Sequence, residues 1–343
     1  LRVAAEQLRK PRYVIAMADG TRESMPIYIR GGHANRGREV PPRNLEALGG
    51  REGSRLDLAD QVATIENPLT ARVFVNRVWH HLFGRGIVAT VDDFGPQGVR
   101  PTHPELLDHL AYQFADDGWS IKRLIRRIVL SQTYGQSSLA NPSIAEERLA
   151  RVDPENKLLY RMSIRRLPAE SIRDGILAVS GSLSDQRFGP GVPTFRTPFM
   201  SGRGARPSGP LDGMGKRSIY QAVYRNFLNP FLTAFEMPNP FGPKGRRSQS
   251  NVPGQSLAMM NDAFVIDQAR RWAERIVADD RSTTERIREM VLSSQGREIA
   301  KQQIDRLAGF VESQTEARDG DETAAWQDLA QALWNMKAFL YLR

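Results

Sequence analysis

The chain has 343 residues, 40% hydrophobic and 25% charged, with 48 Lys+Arg against 39 Asp+Glu and a formal net charge of +9. That composition suits a folded protein of one large or two ordinary domains, and no apolar run reaches the roughly 18 residues that a membrane-spanning helix needs. The absence of cysteine excludes disulfides, thiolate metal sites, thiol nucleophiles and c-type haem attachment within these residues. The basic excess favours anionic partners. Its arginines are spread along the whole chain, so a general surface bias accounts for it without a dedicated nucleic-acid patch. The opening LRVAAEQLRK has neither an initiator methionine nor an apolar signal core, which reads as a piece of a longer precursor.

Residues 12–30, YVIAMADGTRESMPIYIRG, read as two short strands around a turn at Asp19-Gly20. A polar connection, GGHANRGREVPPRN, and a linker ending at Arg55 follow; from Leu56 helical signals dominate. Asn67-Pro68 supplies a cap and a first-turn proline for a helix that Gly84 and Gly86 end. Thr102 and Glu105 have capping-box spacing, ahead of a helix that buries Leu106, Leu107, Leu110, Ala111 and Phe114. Ser120 caps the next helix, where Ile121, Leu124, Ile125, Ile128 and Val129 form one apolar stripe. Another helix runs from about Pro168 to Ser180 and stops at Gly181.

Residues 186–216 are dense in Gly and Pro and basic, a loop long enough to be either functional or disordered. RSIYQAVYRN, 217–226, alternates like a strand. After the turn-rich NPFGPKGRRSQSNVPGQS come helices at about 255–261, 263–278, 283–292, 299–313 and 323–340. These signs predict a mainly α, multi-helical fold with a minor β component, the N-terminal hairpin and the strand near 217–226. The organisation reads as 1–55, a β-containing segment and linker; 56–185, a helical core; 186–255, basic loop and strand; and 256–343, helices packed on the same core.

The helix Leu69–Phe83, laid out at about 100° per residue, is apolar on two sides. One side holds Ala71, Phe74, Val75, Val78 and Leu82; the other holds Leu69, Val73, Trp79 and Phe83. Arg72, Asn76 and His80 form a polar ridge between them, expected to be buried and paired, with the Asp92-Asp93 turn as the nearest acid. His81 lies a further 100° or so round from His80, so the two rings diverge and do not make a metal pair. Asp92, Asp93 and His103 are candidates for acid–base work or a divalent cation; a turn in which the aspartates bond their own backbone is the simpler reading. Glu170, Arg173 and Asp174, with Arg165 and Arg166 just before them, make either a carboxylate–guanidinium site or a salt-bridge network. His109, beside Asp108, reads as a boundary contact, and Lys122, Arg123, Arg126 and Arg127 as a solvated face. No HExxH, GxSxG, SxxK or P-loop occurs.

The block NPLTARVFVNRVWHHLFGRGIVATVDDFGPQGVRPTHPELLDHLA resembles a planctomycete-specific domain of unknown function. That domain lies towards the C-terminus of large proteins that often carry a cytochrome-c-like domain. The resemblance continues through WSIKRLIRRIVLSQTYGQSS, DPENKLLYRMSIRRLPAESIRDGILAVSG and RRSQSNVPGQSLAMMNDAFVIDQARRWAERI to WQDLAQALWNMKAFLYLR, and covers most of 56–343. Position 80 departs from it, having His80 where the family more often has glutamine, which argues against an indispensable catalyst there. The resemblance implies an exported, periplasmic or envelope-associated protein, tied to electron transfer through its companion. It implies no cofactor within this chain, with haem only in an upstream cytochrome-c-like domain. It supplies no reaction.

Two functions are expected on these grounds. The first is a non-catalytic binding or assembly module partnered by other domains of the same polypeptide, with Arg72, Asn76, Arg77, His81, Glu170, Arg173 and Asp174 as candidate binding residues. The alternative is a hydrolase or other enzyme acting on acidic or sulfated polysaccharide. It would use Asp92, Asp93 and His103 in a cleft lined by Arg72, Arg77 and the 186–216 loop. Nucleic-acid binding rests on charge alone and ranks last.

Overall fold

The computed structural model describes residues 16–20, 23–46, 49–50, 52–139, 146–204 and 206–342. The chain divides into two compact units, 1–78 with 103–126, and 79–102 with 127–343.

In the first unit β1 (Met25–Tyr28) pairs antiparallel with β2 (Arg36–Val40). The hairpin therefore lies later than the sequence pattern places it. Residues 16–20, including the Asp19-Gly20 step, form no strand, and 12–15 and 21–22 lie outside the described residues. The chain reverses at Arg30 and Gly31, both at positive φ (54° and 75°), and Ile29 N donates to Asn35 O at 3.0 Å. Strand RGREV is mostly exposed and charged, so no hydrophobic alternation marks it.

Helix α1 (Arg55–Val62) starts on a full capping box between Ser54 and Asp57. Asn67 Oδ1 then accepts from Leu69 N at 3.0 Å and Thr70 N at 3.4 Å, opening α2 (Thr70–Phe83). The cap position of helix α3 (Pro104–Asp116) is His103, one residue later than the Thr102–Glu105 spacing predicts, and its side chain makes no cap bond; the Thr102 hydroxyl donates to Ile87 O. Leu107, Leu110, Ala111 and Phe114 are buried as the spacing predicts, and Phe114 stacks on Phe74 with centroids 5.0 Å apart. In α4 (Ile121–Val129) the buried stripe is narrower than its pattern: Leu124 and Ile128 are buried, Ile121 and Ile125 exposed.

The second unit is built on one hydrophobic core. After α5 (Glu146–Val152), α6 (Ala169–Ser180) ends at Gly181, which takes the left-handed cap conformation, φ 80°. Helix α6 packs with α7 (Pro230–Ala234), α8 (Pro253–Asn261), α9 (Ala263–Val277), α10 (Thr283–Gln295), α11 (Lys301–Ala317) and α12 (Glu322–Asn335). At the centre Trp272 of α9 and Trp334 of α12 stack at 5.3 Å, both fully buried. The single helix expected over 323–340 breaks at Met336, which is extended (ψ 146°). The break feeds α13 (Lys337–Leu340) into the core, with Phe339 lying against Gly175, where a Cβ would stand 3.4 Å from its ring. Strand β4 (Tyr341–Leu342) then pairs antiparallel with β3 (Arg165–Arg166).

The strand expected at 217–226 is not one. Ser218–Tyr220 forms a single 3-10 turn, and Gln221 makes only an isolated parallel bridge to Val192. Side chains of α6 claim this backbone, as described below. The 186–216 loop has little regular structure, as expected, but it is anchored through Val192 and Thr194, which are 3% and 2% exposed. Among the described residues the fold is mainly α, with two small two-stranded sheets.

Candidate binding cleft

The break of α2 and the short β3 strand bring two stretches of chain to one wall of the second unit. Helix α2 ends at Gly84, which takes φ 83°, so the chain turns and carries Arg85 away from the axis. Strand β3 is held by β4 on one edge and runs through Leu167-Pro168 into α6. Together with residues 217–224 and the turn at 246–249, these segments line a cleft of about 1370 Å³. Six arginines line it (Arg85, Arg165, Arg166, Arg217, Arg246 and Arg247), with His80 and His81, against three acids, Glu155, Glu170 and Asp174.

Each acid already has an arginine. Arg85 Nη1 meets Glu155 at 2.6 Å, Arg247 pairs with Glu170, and Arg217 stands 3.6 Å from Asp174. The Arg85 contact, helped by Lys157, holds the Glu155 carboxyl below its ordinary range. Arg166, buried, donates to Ser250 O at 2.7 Å and to Glu236 at 2.6 Å. Burial alone would raise the Glu236 carboxyl, but bonds from Ser250 and Arg166 outweigh it and hold the group low. Arg165 differs: it donates to the His81 carbonyl, and among the described residues no carboxylate pairs with it. Burial pushes its guanidinium below the ordinary value, opposed by the Tyr134 hydroxyl.

The Glu170, Arg173 and Asp174 cluster resolves into separate jobs. Glu170 and Asp174 face the cleft. Arg173 is 1% exposed and donates to Lys216 O at 3.0 Å, Ser218 Oγ at 3.1 Å and Asp212 O at 2.6 Å. With the Gln221 amide turned so that its oxygen faces the guanidinium, Nε and Nη2 also donate to it at 3.2 and 3.0 Å. Asp174 Oδ1 accepts from Ser218 N and Oγ, both at 2.7 Å. These bonds hold 212–221 in its turned path and explain the missing strand. Burial pushes the Arg173 guanidinium down to about 10, with Asp174 and Asp212 opposing.

The polar ridge of α2 is only partly interior. Asn76 is fully buried. Arg72 keeps 34% of its side chain exposed, and its acid is Asp108, at 2.6 Å, not the Asp92-Asp93 turn. Asp108 is one helix turn into α3 and so faces α2, whereas Asp93 is engaged locally: its Oδ1 accepts from Gly95 N at 2.8 Å, an Asx turn. Asp92 is exposed and lies against Gly245. His103 belongs to the first unit and Asp92 and Asp93 to the second. Arg77 and His81 are exposed, and the rings of His80 and His81 are 5.5 Å apart and tilted by 60°. Among the described residues no group of three or more His, Asp or Glu is placed to hold a metal ion.

Arg85, Glu155, Arg217, Arg246 and Arg247 carry no periodic signal in the sequence. The one hint is their setting beside turn residues, as in Gly84-Arg85 and Gly245-Arg246-Arg247. No curated protein and no solved structure is similar to the chain. A family model does match it over residues 54–311, a span that includes every cleft residue named above. By that match the chain belongs to PSD1, a family of proteins of unknown function (DUF1553).

Proposed function

We propose that this chain is a non-catalytic binding module whose cleft takes a stretch of acidic polysaccharide. One observation carries the reading: of the six cleft arginines four are matched by carboxylates, Glu155, Glu170, Asp174 and Glu236, and among the described residues Arg165 and Arg246 remain as excess positive charge. A concave surface with an excess of one sign focuses its field on an oppositely charged ligand, and guanidinium matches carboxylate and sulfate in shape as well as charge. Ile219, Val223 and Tyr224 give the same cleft apolar surface on which sugar rings can lie. Its volume exceeds the roughly 300–1,000 Å³ of small-molecule pockets, which suits an oligomer.

Titration against acidic and neutral polysaccharides over a range of salt tests this. The reading expects binding to the acidic polymer that weakens as salt rises, and none to the neutral one. Equal binding to duplex DNA would reduce it to bulk charge. Release of shorter products, lost in Asp92→Asn, Asp93→Asn or His103→Gln, would replace it with the hydrolase reading. The resemblance of the Asn67–Ala111 block supports the wider setting we propose: an exported, envelope-associated polypeptide of planctomycete type, with a cytochrome-c-like companion holding any haem. A pull-down with that companion tests the assembly role.

A further inference from the structure

One end of the cleft is made by the close of α2 and by β3, where His81, Gly84, Arg85, Glu155 and Arg165 line the wall. Arg85 has its counter-charge in Glu155. Arg165 is half-buried and has none among the described residues. One of its terminal nitrogens donates to the His81 carbonyl, but its Nε is buried without an acceptor, as is the Nε of Arg85. A partly desolvated cation whose partners among the described residues are only the His81 carbonyl and the Tyr134 hydroxyl has no carboxylate to offset its desolvation, and a guanidinium offers a planar fork of donors that one oxyanion can fill. Space is available beside it. A Cβ built on Gly84 would meet only Arg165 Cδ, at 3.7 Å.

We propose that Arg165, on the wall beside Gly84-Arg85, is the subsite for a single oxyanion, a sulfate ester or a carboxylate of the saccharide. The inference rests on the reading of the cleft as an anion site and names the group in it that grips one substituent. The other cleft arginines that pair with acids then contribute field and packing, while Arg165 supplies the charge that the ligand neutralises.

The test uses the whole chain, with Arg165→Gln and Arg165→Lys compared to wild type and to Arg306→Gln, an exposed position on α11 outside the cleft. Melting is followed in sodium sulfate, sodium glucuronate and sodium chloride at equal ionic strength, and affinity for an acidic oligosaccharide is measured by calorimetry. Sulfate stabilises any fold by exclusion, so binding is read as the part of the rise over chloride, in wild type and Arg306→Gln, that exceeds the rise in the Arg165 variants. That excess should be present for sulfate or glucuronate and absent in both variants. Oligosaccharide affinity should fall about tenfold or more in both, because lysine keeps the charge but not the fork. The anion that gives the larger Arg165-dependent excess identifies the substituent.

Folded Arg165→Gln protein with unchanged affinity and an unchanged anion response overturns the subsite. If wild type responds to free anion through Arg165 but binds no polysaccharide, the subsite stands and the polysaccharide reading falls. Should both variants fail to fold, wild-type crystals soaked in selenate decide: an anion against Arg165 supports the subsite, and one only elsewhere overturns it.

Discussion

Arg173 has exchanged its water for oxygens of residues 212–221 and for the face of Phe264, 5.3 Å from the guanidinium. Arg173→Met would fill similar space but strand the Asp212 and Lys216 carbonyls and leave Asp174 without its buried neighbour. A loss of about 3–5 kcal/mol is expected, read from urea melts. Arg72 belongs at the other end of the scale. Its bond to Asp108 is at the surface and screened, so Arg72→Ala should cost only about 0.5–1 kcal/mol, far less than a buried ridge would require. His80→Gln keeps a polar group at a partly exposed position and should stay within about 1 kcal/mol of wild type in the same melts. Glu236 links stability to pH. Its folded carboxyl lies below the ordinary 4.5, so its contribution is complete above that value and is lost as pH falls through the lower, folded one. The stability gap between wild type and Glu236→Gln should therefore be constant near neutrality and close in acid.

The helices follow from local chemistry, and most were readable from the chain alone. A left-handed glycine marks the end of α6, an aspartate cap the start of α9, and a serine capping box with a left-handed glycine both ends of α10, because those signals are complete inside one short window. What escaped was decided at long range. Residues 217–226 alternate like a strand, yet Arg173 and Asp174, some forty positions earlier, fold them into a turn; no local window contains that information. The cleft was legible in His81, Arg165, Arg166, Glu170 and Asp174, whereas Arg85, Arg217, Arg246 and Arg247 come from segments without periodicity. The turned segment gives its own prediction. Gly215 holds φ 64°, and a Cβ there would stand 2.2 Å from Ser182 O, while one at Gly213 would meet Arg173 Nη2 at 2.5 Å. Gly215→Ala has backbone against it on both counts and should destabilise by more than the roughly 1 kcal/mol of an ordinary glycine change. Faster proteolytic cutting within 186–216 would report the released segment.

Across the whole molecule the second unit's core is anchored by indoles whose N–H groups lack acceptors among the described residues, Trp272 and Trp334, while Trp326 donates to Glu322 at 3.1 Å. Trp334→Phe removes an orphan donor along with some volume, and the two effects oppose. It should cost less than about 1.5 kcal/mol, against about 3–5 for Trp334→Ala, by thermal denaturation. The two-residue pairing of β3 with β4 is small in area, but it joins positions 165 and 342. A ribosome delivers these positions in order, so Arg165 leaves the exit tunnel long before the strand that fixes its backbone exists. Until Tyr341 and Leu342 emerge, that wall of the cleft lacks its neighbour. That wall thus stays incomplete while the residues between 166 and 341 are made, when the nascent chain lies close to the polyanionic RNA of the machine making it.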